Sequence, residues 1–127
     1  TLYGADKSWI RDQPDSEYKY PCVHTTPLKG VRYKYSSRNQ GHFGIPKVIF
    51  GDSSINQNTI IDDTGDYGLT NHAIGLKIDN KQEGENIKQA LLSTKFKEII
   101  TACSWSNYQI DWRLFTYFKK DFWKEFI

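Results

Sequence analysis

Six cations, Lys19, Lys29, Arg32, Lys34, Arg38 and Lys47, fall between Glu17 and Asp52 with no carboxylate among them, a local balance of +6. From Asp52 to Glu85 the sign reverses. Asp52, Asp62, Asp63, Asp66, Asp79, Glu83 and Glu85 outweigh Lys77 and Lys81, a balance of −5. Such segregation points to one side of the molecule that faces a polyanion and another that faces solvent. Two polar loops add groups that form paired hydrogen bonds. The first is SSRNQGH, with Arg38, Asn39, Gln40 and His42; the second is SWSNYQ, with Ser104, Ser106, Asn107 and Tyr108. Arginine suits the acceptor edge of guanine, and asparagine or glutamine suits adenine. Lys34, Arg38 and Lys47 are expected mainly on phosphates, and the two loops on base edges.

Other chemistries are less well supplied. Cys22, His24, His42, His72 and Cys103 have none of the tight spacings of zinc sites, and no G-x-S-x-G or other local nucleophile signature is present. Asp66, a strand and then Asp79-Asn80-Lys81 mimic an acid, acid-x-lysine layout in which two carboxylates hold a divalent cation. The same three residues are also ordinary turn chemistry where a strand gives way to a helix.

The elements that must position these groups are legible in the periodicity. Tyr18 to Thr26 and Val31 to Ser36 alternate, with turn residues Pro27 to Gly30 between them, and so form a hairpin whose Arg32 and Lys34 share a face. Pro21 keeps the first of these strands near an edge. Gly41 to Phe50, GHFGIPKVIF, passes from a glycine turn into an apolar run, the strand on which the rest is expected to pack; Lys47 interrupts it and is expected to point away from core. Thr59 to Asp62 is a short strand and Tyr67 to Ile78 a long one, with Gly68 and Gly75 allowing close approach or a bulge. From Glu83 the period becomes helical, with Ile87, Ala90 and Leu91 on one side. Ser93 caps a second helix carrying Phe96, Ile99, Ile100 and Cys103, and Asp111 starts a third with Leu114, Phe115, Phe118, Phe122 and Phe126 inward. The expectation is an α+β fold: a curved, mainly antiparallel sheet from Tyr18 to Ile78, followed by C-terminal helices packed on one face.

With 127 residues and 15% aromatics, the chain suits one domain with one core, residues 1–127. It contains no methionine and opens on Thr1, and reads as a piece of a longer protein. No apolar run has the roughly 20 residues of a membrane span. Two distant cysteines suit reduced thiols and an intracellular setting.

Taken together, GHFGIPKVIFG, YGLTNHAIGL and ACSWSNYQIDWRLFTYF resemble blocks of the C-terminal specificity domain of adenine-N6 DNA methyltransferases in type II restriction-modification systems, the TaqI-like target-recognition class. Similar segments occur in proteins of large DNA viruses. The resemblance implies a non-catalytic module that reads double-stranded DNA for a methyltransferase or endonuclease domain elsewhere in its parent chain. The family's N/D-P-P-Y/F motif and its glycine-containing cofactor motif are both missing, so the resemblance implies no cofactor here. Two other classes stay open on the residues alone: a protein-interaction module with a basic face, and a small metal-dependent nuclease using Asp66 and Asp79.

Overall fold

In the computed structural model the structure describes residues 9–27, 29–38, 42–52, 55–70, 72–103 and 122–126. Its centre is β4, Lys47–Gly51, every residue of which is buried. A strand covered on both faces reads as a continuous apolar run rather than an alternation, and VIF is that run. The pleat sends Val48 and Phe50 to one side, where they meet Ile74, Ile78, Ile87, Leu91 and Phe96. Ile49 goes to the other side and meets Val23 and Leu69.

β4 is flanked antiparallel by β5, Ile60–Asp62, and β7, Ala73–Lys77, giving the order β5-β4-β7. The second sheet has the order β1-β3-β2-β6, from β1, Ile10–Arg11, β2, Tyr20–Thr25, β3, Arg32–Ser36, and β6, Gly68–Leu69. All pairings are antiparallel except β2 with β6. The fold is therefore α+β and mainly antiparallel, but the strands expected in one curved sheet divide between two. The reason lies in β4, whose two apolar faces each need cover: helices supply one and the hairpin sheet the other.

The same division splits the segment expected as one strand from Tyr67 to Ile78. Gly68 and Leu69 pair with Cys22 and Val23 in one sheet, and Ala73 onward pairs with β4 in the other. A turn at the crossing is closed by Ala73 N donating to Thr70 O at 3.2 Å. Gly68 meets the close approach its type allows, since a Cβ there would lie 2.6 Å from the Phe43 ring and 3.0 Å from Cys22 Sγ.

Helix α1, Lys81–Leu91, begins two residues earlier than its apolar period. Asn80 is its N-cap, accepting from Glu83 N at 2.8 Å, while Glu83 Oε1 accepts from Asp79 N at 2.9 Å. The cap satisfies one donor that the first turn leaves open, and the Glu83 side chain reaches back to the residue before the cap. Helix α2, Thr94–Cys103, starts where Ser93 Oγ accepts from Phe96 N at 3.2 Å. Phe96 is fully buried, and Phe122 of a short 3-10 turn, Phe122–Glu125, and Phe126 just after that turn pack against it. The helix expected from Asp111, with Leu114, Phe115 and Phe118, lies outside the described residues.

Candidate nucleic-acid interface

The β2–β3 hairpin holds most of the cations named above. Lys19, Lys29, Arg32 and Arg38 are all exposed along it. Six residues of β2 extend over ~20 Å, a length on the order of six base-pair steps of duplex. At one end, guanidinium and ammonium groups lie over rings: Arg38 is 4.0 Å from the Trp9 centroid, Arg11 4.6 Å from Tyr18 and Lys19 5.4 Å from Tyr20. Ring contacts of this kind hold a long side chain in place.

At the other end the turn carries Lys29 and Arg32, and its backbone is held from several sides. Gly30 N donates to Pro27 O at 3.0 Å, with Gly30 at φ 137°. Asn56 Nδ2 donates to Thr26 O at 2.8 Å, and Asn58 Nδ2 to Pro27 O at 2.6 Å. Thr26 Oγ1 in turn accepts from Gly51 N at 2.8 Å, joining the turn to the end of β4. The hairpin is internal to its sheet, with β3 against β1 and β2 against β6, so it offers a face and a turn rather than a projecting ribbon.

Lys34 and Lys47 are not alike. Lys34 is half-buried and pairs with the exposed Asp12. The run without carboxylates is thus interrupted in space by an acid from just after β1. Lys47 is a correction to the expected phosphate contacts, for it is only 2% exposed. Its Nζ donates to Asp62 Oδ2 at 2.8 Å and to the carbonyls of His42 and Ile45 at 3.1 Å each. An ammonium has three donors, and these three acceptors use them all. Asp62 also accepts from Asp66 N at 2.8 Å and Tyr67 N at 3.1 Å. The pair ties the loop before β4 to the loop after β5, which also meet where Gly44 N donates to Gly65 O at 2.9 Å.

His42 is exposed at positive φ, 75°, beside that clasp. Asn39, Gln40, Ser104, Ser106, Asn107 and Tyr108 lie outside the described residues, so of the residues expected to reach base edges only Arg38 and His42 are placed. Of the acid pattern weighed for metal, Asp79 and Asn80 start α1 as given above, and Asp66 Oδ2 accepts from Thr64 Oγ1 at 2.6 Å. Among the described residues no group of three or more His, Cys, Asp or Glu side chains converges as a metal site, and no helix is long and apolar enough to cross a membrane.

Residue reading missed a pair of histidines at the turn end. His24 Nδ1 lies 2.8 Å from Thr70 Oγ1, His72 Nδ1 lies 3.4 Å from Asp52 Oδ2, and the two rings meet edge to face with centroids 5.3 Å apart. They are 48 residues apart in the chain, and no local spacing announces them.

Set against family models, curated proteins and solved structures, the chain matches none.

Proposed function

We propose that this chain is a duplex-DNA recognition domain, itself non-catalytic and without a cofactor, that serves a methyltransferase or restriction endonuclease domain of the same parent protein inside the cell. The observation that supports the reading is the row of exposed cations Lys19, Lys29, Arg32 and Arg38 on a hairpin whose turn is fixed by Asn56 and Asn58. Exposed cations on a hairpin whose turn backbone is held suit a row of phosphates, and that backbone needs no ordering on binding. Base selectivity in this reading comes from Arg38 and His42 with Asn39 and Gln40, and from Ser104, Ser106, Asn107 and Tyr108.

The test is fluorescence anisotropy with a labelled duplex across a salt series. Four phosphate contacts give a log-log slope of about −3 to −4, and Arg32→Ala flattens it by roughly one unit for every sequence alike. A flat salt response would reject the reading, and tight binding to an acidic protein instead would favour the interaction-module class. Binding-site selection on Arg38→Ala and Asn107→Ala then separates base reading from positioning. A reader loses about 1–3 kcal/mol of discrimination at one base pair.

A further inference from the structure

His24 and His72 meet where the basic hairpin approaches the turn between β6 and β7. His24 falls at the irregularity of β2, where the register with β3 shifts between Val23 and Thr25. The His72 side chain is 43% exposed and that of Asp52 18%. Each Nδ1 faces an oxygen of its own neighbour, Thr70 Oγ1 or Asp52 Oδ2. That leaves both Nε2 atoms as the ones on offer to a third party.

The charges around the pair select the kind of ligand. Facing His24 are Lys34 and Arg32 from β3, His72 from the turn before β7, Asp52 from the end of β4, and Asp12 from beyond β1. Asp12 is already held by Lys34. Burial first, then Lys34 and His72, hold His24 below the ordinary histidine range, with Asp52 opposing. A divalent cation would enter beside two fixed cations with one carboxylate to receive it. A phosphate oxygen would instead find donors and positive charge, and would add to Asp52 the counter-charge that favours a proton on His24.

We propose that His24 and His72 form a phosphate-contacting subsite at the turn end of the hairpin, and that His24 takes up a proton there when a duplex phosphate docks. This rests on the duplex-binding reading above. Linkage then requires duplex affinity to rise as pH falls through the histidine range. Thr70 orients His24 at 2.8 Å, so that ring is set before the ligand arrives, with His72 beside it and near Asp52.

The experiment measures duplex affinity by anisotropy at about pH 6 and about pH 8 at fixed salt, for the unmodified chain and for His24→Gln. Glutamine can still donate to a phosphate oxygen from the Nε2 position and cannot titrate. The expected result is binding at least about threefold tighter at the lower pH, with the ratio falling to near one in His24→Gln. In parallel, NMR titration of the His24 imidazole with and without duplex should show its midpoint moving up on binding, a readout that holds even if the variant folds poorly. Equal affinity at both pH values, an unchanged ratio in His24→Gln, or a His24 midpoint that does not rise overturns the subsite while leaving the hairpin reading intact. No duplex binding at either pH overturns the duplex reading, and the subsite with it.

Discussion

Lys47 and Lys34 show how far one residue type can diverge in role within a short stretch. Removing one partner of a buried ion pair leaves an uncompensated charge, so Lys47→Met should cost about 3–5 kcal/mol in urea denaturation. In conditions where the variant is still folded, its salt slope for duplex should match that of the unmodified chain, because the ammonium is spent on Asp62 and two carbonyls. Lys34 pairs across the surface with an exposed carboxylate, where solvent screens the contact and it adds little to stability. Asp12→Asn should therefore leave stability nearly unchanged. It releases Lys34 and removes a negative charge from beside the hairpin, and should tighten duplex binding about two- to tenfold at low salt, read by anisotropy.

At the scale of elements, the contact between two loops is the point of least tolerance. Gly65 has φ 73°, and a Cβ there would lie 2.6 Å from the backbone of Gly44. Both the conformation and the space require glycine. Gly65→Ala should therefore cost more than the ~1 kcal/mol of an ordinary glycine replacement, measured as a shift in the denaturation midpoint. The clasp of Lys47 and Asp62 holds the same two loops, so the two substitutions combined should depart from additivity. A wild-type midpoint in Gly65→Ala would mean the loops separate freely.

For the whole molecule, two of the three apolar clusters among the described residues are stacked through β4, one between the hairpin sheet and β4 and another between β4 and the helices. Cys22 lies in the third, with Ile10, Trp9 and Phe43, and is fully buried. Burial pushes its thiol up to about 12, with Lys47 opposing weakly. Thiolate is the reactive form, so in a Cys103→Ser background Cys22 should resist iodoacetamide near pH 8 and be modified only as the chain unfolds. Mass spectrometry against denaturant concentration checks this. Rapid modification of the native protein would place Cys22 at an accessible surface.

Local patterns were enough for what depends on neighbours in the chain. The alternation of Tyr33 against Arg32 and Lys34 marks a half-buried strand, the unbroken Val48-Ile49-Phe50 marks one covered on both faces, and Ser93 stands where a helix needs its first acceptor. Charge segregation along the chain likewise drew attention to the hairpin. Tertiary structure decided what depends on distant partners. Nothing local distinguishes Lys47 from the exposed cations Lys29 and Arg32, because its burial depends on a carboxylate 15 residues away and two carbonyls at the turn before β4. Nothing local splits Tyr67 to Ile78 between two sheets either, since that follows from which strands lie beside Gly68 and Ala73. The His24–His72 contact arises in the same way, from a β2 irregularity and a turn that meet only where the hairpin sheet packs on the sheet of β4.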